Sequence, residues 1–124
     1  MASEPFEKLA VYQLAETLAD KVWDIVVGWN ILPRDTVGKQ LIRAADSIGA
    51  NIAEGCGRHG FQDNRRFVKY ARGSLYETKH WLRRAFRRKF LTAEEVATLK
   101  PLLDDLAPRL NAYLRSIGRP DAEE

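Results

Sequence analysis

Three shortages frame this sequence. Cysteine occurs once in 124 residues, as Cys56, and histidine twice, as His59 and His80. A single cysteine cannot close an intrachain disulfide, which fits a reducing compartment, and we expect a cytoplasmic chain. Two separated histidines without nearby Cys or carboxylate partners at ligand spacing give no metal site, and no cofactor is expected. No apolar run approaches the roughly 18 residues of a membrane span, and the N-terminus has neither the basic nor the apolar region of a signal peptide. No membrane association is therefore expected. Strand-like alternation is almost absent, which argues against any sheet-based architecture.

What the chain does have is helical periodicity and unevenly placed charge. Its length suits one domain around one core, and its 45% apolar content is ordinary for a globular protein. The net charge of +3 hides an asymmetry. Residues 61–90 carry ten Lys and Arg against Asp63 and Glu77, a net of +8, while residues 1–60 stand at −2 and residues 91–124 at −3. The basic character sits in one segment.

Four stretches show a 3.6-residue period. The first, about 5–27, repeats Val11, Ala15, Leu18, Val22 and Ile25. Tyr12, Ala19, Trp23 and Val26 form a second apolar stripe beside it, which predicts burial over a wide arc. Gly28 ends it and Pro33 keeps the connection irregular. The second, about 35–56, starts on a cap from Asp35 or Thr36 and buries Leu41, Ala44 or Ala45, Ile48 and Ile52. Gly38, Ile42, Ala45, Gly49 and Ala53 give it a thin side for a close neighbour. Gln40, Arg43, Ser47, Asn51 and Glu54 form a purely polar third side. The third, about 61–89, places Val68, Ala71, Leu75, Thr78, Leu82 and Ala85 at heptad spacing. The fourth, about 92–117, opens on the capping box Thr92–Glu95 and repeats Val96, Leu99, Leu103, Leu106, Leu110, Tyr113 and Ile117. Pro101 and Pro108 fall on its solvent side. Either the helix continues through them with a bend, our expectation, or it breaks near Lys100. Gly118 and Pro120 stop it, and Asp121–Glu124 are expected to fray. Short connections between four such helices predict an all-α fold: a single-domain (1–124), antiparallel up-down-up-down four-helix bundle.

Candidate chemistry is sparse. Gly55-Cys56-Gly57-Arg58-His59-Gly60 fits G-x-G-x-x-G, but a helix precedes it where the dinucleotide motif needs a strand. A glycine-rich turn between helices is the simpler reading. A weaker one makes its amides, with Arg58 and His59, a perch for phosphate. Cys56 lacks an orienting partner for nucleophilic catalysis. The polar stripe Gln40, Arg43, Ser47, Asn51 and Glu54 is either an exposed face or a hydrogen-bonded seam between helices or subunits. Within it Glu54 is expected to pair with an arginine such as Arg43 or Arg58.

The third helix is the best functional candidate. Arg65, Lys69, Arg72, Lys79 and Arg83 follow helical spacing around Tyr76, and Arg66, His80, Arg84, Arg87 and Arg88 widen the strip. At about 1.5 Å per residue, Arg65 to Arg88 spans roughly 35 Å, enough to meet several phosphates. No residue set reads base identity, so binding of RNA or DNA through it would be weakly specific. The alternative pairs these cations with acids such as Asp104 and Asp105 or with another subunit. Trp23, Trp29, Trp81, Phe86 and Phe90 are more large aromatics than one small bundle hides, which points to self-association.

The run Gln40-Leu41-Ile42-Arg43-Ala44-Ala45-Asp46-Ser47-Ile48-Gly49-Ala50-Asn51-Ile52-Ala53-Glu54-Gly55 resembles the signature of the four-helix-bundle proteins encoded by intervening sequences of 23S ribosomal RNA genes. Gly57-Arg58 and Ala71-Arg72-Gly73-Ser74-Leu75-Tyr76-Glu77-Thr78 fit downstream, as do Phe6-Glu7-Lys8-Leu9 and Tyr12-Gln13. Gly49 departs from the proline many members carry. The resemblance implies an up-down bundle in a ring-like homopentamer. It also implies kinship with the accessory variability determinant of diversity-generating retroelements, which binds a reverse transcriptase and nucleic acid. Under it Gln40, Arg43, Ser47, Asn51, Glu54, Ser74 and Glu77 are structural, and the basic residues of the third helix carry the binding role. The expectation is a non-enzymatic oligomer that binds nucleic acid. The alternative is a protein-binding scaffold or accessory subunit without a nucleic-acid role.

Overall fold

The computed structural model describes residues 5–119, so Pro120 and the expected fraying of Asp121–Glu124 lie outside the described residues. Among them, four long helices carry the structure: α1 (Ala10–Val26), α2 (Lys39–Cys56), α3 (Phe61–Arg87) and α4 (Ala93–Ser116). A single 3-10 turn, Pro5–Lys8, precedes α1.

Contacts along the helices fix their directions. Gly49 of α2 packs on Tyr12 and Ala15 near the start of α1, and Gly38 packs on Val26 at its end. Gly55 at the end of α2 abuts Asn64 and Phe67 at the start of α3. Arg65 and Arg72 of α3 reach Ile117 and Asn111 near the end of α4. Leu9 and Val11 share a groove with Tyr113 where α4 closes on α1. Each consecutive pair is therefore antiparallel, and the up-down-up-down bundle holds, with α2–α3 its most extensive interface. The thin side of α2 takes the close neighbour its glycines allow, and that neighbour is α1.

The core follows the periodicity closely. Val68, Ala71, Leu75, Thr78, Leu82 and Ala85 of α3 are all buried, as are Leu99, Leu106, Leu110 and Ile117 from α4 and its C-cap. Thr78 is the one polar member, and its hydroxyl donates to the Ser74 carbonyl one turn back at 2.8 Å, so no donor is stranded. The α4 capping box forms in both directions. The Glu95 amide donates to Thr92 Oγ1 at 3.0 Å, and the Thr92 amide donates to Glu95 Oε1 at 2.9 Å. Helix α4 runs unbroken through Pro101 and Pro108, both on its exposed side. Gly118, at φ 85°, takes the left-handed conformation just beyond its end.

Two expectations are corrected. The second helix does not begin at Asp35. A helical turn, Ile31–Pro33, and a π turn, Arg34–Gly38, run straight into α2. Pro33 sits in the first turn, where its missing N–H costs nothing, so it starts this segment instead of interrupting it. Extended Asn30 takes the N-cap position. Thr36 donates its hydroxyl to the Leu32 carbonyl at 2.7 Å and Asp35 pairs with Arg34, so neither caps. Burial of α1 is also narrower than its two stripes predict. Val26, not Ile25, completes its core row, and Trp23 is 53% exposed. Of the five large aromatics, Trp23 and Phe86 are exposed, whereas Trp29 and Phe90 pack together at 5.6 Å between ring centres and Trp81 is half-buried.

Candidate nucleic-acid interface

Helix α3 presents its basic residues on three sides. Two are spent on holding α4. Arg65 Nη1 donates to the Ile117 carbonyl at 2.9 Å, satisfying an acceptor at the negative end of α4, and Arg72 Nη1 donates to Asn111 Oδ1 at 3.1 Å. Lys79 and Arg83 lie further along this flank. They line an open cleft of about 390 Å³ between α3 and α4, with Phe86, Leu99, Lys100 and Asp104. The Lys79 ammonium stands 5.4 Å from the centre of the Tyr76 ring, a cation–π arrangement.

The remaining cations face outward or toward α2. Arg66 pairs with Asp63 at 3.0 Å. Lys69 and Arg87 are exposed, Arg84 is half-buried, and Arg88 joins Gln40, Arg43 and Trp81 along a shallow groove between α2 and α3. Lys69, Arg83, Arg84, Arg87 and Arg88 have no ion pair or hydrogen bond among the described residues. The pairing considered for Asp104 and Asp105 does not form. Each carboxylate is taken by a cation one turn away on its own helix, Lys100 at 2.8 Å and Arg109 at 2.9 Å.

The polar side of α2 turns its hydrogen bonds inward along the helix. Ser47 donates to the Arg43 carbonyl at 2.7 Å, Asn51 to the Ser47 carbonyl at 2.9 Å, and Glu54 pairs with Arg58 at 2.9 Å. Glu77 accepts from the Trp81 indole on α3 at 3.3 Å. None of these bonds crosses between helices.

The glycine turn offers less to an anion than its sequence suggests. The Gly57 and Arg58 amides donate back to the last carbonyls of α2, and the Arg58 guanidinium lies 4.6 Å over the Phe67 ring while pairing with Glu54. The would-be perch has lost two donors to capping α2 and its arginine to Glu54 and Phe67. Cys56 is half-buried with its Sγ 3.4 Å from Tyr113 Oη. Burial first, then the bond to Cys56, pushes that phenol up to about 12, so it supplies no base near neutral pH. Among the described residues, no three His, Cys, Asp or Glu side chains are grouped to hold a metal ion, and no helix is long and apolar enough to cross a membrane.

One charged site escapes the sequence. Glu16, Asp20 and Asp46 border a groove between α1 and α2 over a floor of small residues. Partial burial, then the neighbouring Asp20 charge, raises the Asp46 carboxyl above its usual value. The spacing of Glu16 and Asp20 was visible, but only the α1–α2 register brings Asp46 to them.

Comparison with known proteins completes the picture. No curated protein matches the chain. A solved structure, described as a protein of unknown function from the S23 ribosomal protein family of Bacteroides thetaiotaomicron VPI-5482, superposes with a TM-score of 0.75 at 21% identity. The match covers 86% of this chain and 99% of that one, and it shows the shared fold. Residues 7–112 match the family described as 23S rRNA-intervening sequence protein, and with nearly the whole bundle inside that match, the chain belongs to this family.

Proposed function

We propose that this protein is a non-enzymatic, cytoplasmic, self-assembling bundle that binds nucleic acid through α3 without reading sequence. The observation that carries this reading is the set of uncommitted cations. Lys69, Arg83, Arg84 and Arg87 on α3 and Arg88 at its C-cap make no ion pair or hydrogen bond among the described residues, and a polyanion supplies what they lack. Arg65 and Arg72 belong to the scaffold in this reading, because they hold α4. A ring of five copies would multiply the basic surface, and a reverse transcriptase is one class of nucleic-acid enzyme such a ring could serve. A protein partner without nucleic acid is the second reading, favoured by exposed Ile31 and Leu32, at 69% and 75%.

Fluorescence anisotropy with RNA and DNA oligonucleotides across a salt series separates the two. Binding should weaken steeply with salt. In the variant K69E/R84E/R87E/R88E the slope of log K against log salt should fall by about 3–4. A flat salt response in the native chain, or unchanged binding in the variant, rules the nucleic-acid reading out.

A further inference from the structure

Among the described residues, the exposed aromatics gather on the basic helix. Phe61, Tyr70, Tyr76 and Phe86 all lie on α3, and Trp23 of α1 is the remaining one. Their surroundings differ. Phe61 packs toward Gly118, where an added Cβ would stand 3.3 Å from its ring. Tyr70 meets the Phe67 ring edge-on, at 5.3 Å between centres. Phe86 walls the cleft between α3 and α4 beside Leu91 and Val96. Tyr76, 61% exposed, stands in the middle of the basic strip.

Cations surround Tyr76 at helical spacing. Arg72 comes four residues before it and Lys79 three after it. Lys69 and Arg83 lie two turns to either side, about 10 Å along the axis, and neither makes an ion pair or hydrogen bond among the described residues. The Lys79 ammonium is 5.4 Å from the ring centre. Among the described residues the Tyr76 ring has no other ring or cation contact, and its hydroxyl has no hydrogen bond. Side chains on a helix lean toward its N-terminus, so this ring leans toward the turn that holds Gly73. Gly73 supplies no side chain, and nothing lies within 4 Å of where its Cβ would be. Lys79 therefore approaches the ring from one direction, and the direction of Gly73 is open to a flat group.

An unpaired base fits that opening, and a paired one does not. In a duplex each base face is covered by its neighbours, and a side chain on a straight surface helix meets phosphates. In a single strand the base faces are free, and stacking on an aromatic ring adds to the phosphate contacts.

We propose that α3 selects single-stranded over duplex nucleic acid, with one base stacked on Tyr76 while Lys69, Lys79 and Arg83 hold the phosphates to either side. This rests on the nucleic-acid reading above and names the form of strand it takes. Every base has a π face, so the platform adds strand selectivity without reading base identity. Duplex binding also falls faster with salt, with a slope of roughly −0.9 per neutralised phosphate against roughly −0.7 for a single strand. The preference for single strands therefore widens as salt rises.

Fluorescence anisotropy with a single-stranded DNA oligonucleotide, the matching duplex and an abasic strand of the same length tests the proposal. The native chain should bind the single strand more tightly than the duplex at raised salt. Tyr76→Ala should weaken the single strand about 5- to 150-fold, while leaving its salt slope and the binding of duplex and abasic strand unchanged. Tyr76→Phe keeps the ring and should bind as the native chain does. Circular dichroism melts establish that both variants are folded. Equal or tighter binding of duplex at raised salt, an unchanged single strand in Tyr76→Ala, an equal loss on the abasic strand, or a Tyr76→Phe as weak as Tyr76→Ala would overturn the platform. K69E/R84E/R87E/R88E should instead weaken all three probes and flatten the salt slope. If it does so while Tyr76→Ala changes nothing, the basic surface stands and the platform alone falls. A native chain that binds none of the probes overturns both.

Discussion

Cys56 Sγ lies 3.4 Å from Tyr113 Oη, tying the C-terminal end of α2 to that of α4. Burial and this contact raise the Tyr113 phenol from 10.0 to about 12. A group whose pKa is higher in the folded chain adds stability that is complete below its unfolded value and disappears as pH climbs through the folded one. Here the window opens at pH 10 and runs toward 12. The variant Tyr113→Phe has nothing to ionise at this position. At pH 8 it should be less stable by about 1 kcal/mol, for the lost hydrogen bond. Urea titrations at intervals from pH 8 to 11 should show that deficit shrinking above pH 10. A deficit constant with pH would mean the phenol ionises as it does in the unfolded chain.

Two glycines that look alike in sequence should respond oppositely to alanine. A Cβ on Gly55 would stand 2.5 Å from Asn64 Oδ1 and 3.1 Å from both the Asn64 carbonyl oxygen and Phe67 Cβ. The Asn64 side chain can swing away, but the Asn64 carbonyl is α3 backbone and the Phe67 Cβ is bonded directly to it, so the helices must part. We expect Gly55→Ala to cost about 1–3 kcal/mol. Gly73 is exposed in the middle of α3 with nothing within 4 Å of the added atom. Gly73→Ala should gain about 0.5–1 kcal/mol from helix propensity alone. Chemical denaturation of both variants checks the pair, and shifts of the same sign would refute the packing described for α2–α3.

Lys89 holds φ at 67°, where a Cβ is strained. It closes α3: the Phe90 amide donates to the Ala85 carbonyl at 2.8 Å and the Lys89 amide to that of Phe86 at 3.0 Å, the paired bonds of a Schellman ending. Lys89→Gly should raise stability by about 1 kcal/mol, whereas Lys89→Ala, which keeps the Cβ, should not. Thermal melts of the two variants decide this, and equal melting temperatures would show that the backbone strain is not the controlling quantity.

The sequence was most legible where burial alone decides a position. The α3 heptad named six core residues and all six are buried, because apolar spacing and helix geometry leave one solution. It was less legible where two local rules compete. Pro33 reads as a breaker until its place in a first turn is known, and Asp35 and Thr36 look like caps although both lie past the helix start. The basic strip was visible as composition, but not its division. Whether an arginine grips a neighbouring helix or faces water depends on which flank that helix occupies, and single-chain periodicity carries no such information. Arg65 and Arg72 therefore looked the same as Arg84 and Arg87. Resemblance supplied the family, while the α1–α2 register alone assembled Asp20 with Asp46.

Pro101 and Pro108 have a consequence for how the bundle breathes. Each lacks the proton that would bond to the carbonyl four residues back, so Ala97 and Asp104 offer their oxygens to water along the exposed side of α4. That helix enters local opening with two rungs of its ladder already missing, while α2 and α3 share the most extensive interface in the molecule. Amide protons of α4 are accordingly the first to be surrendered to bulk solvent, and those of the α2–α3 hairpin the last.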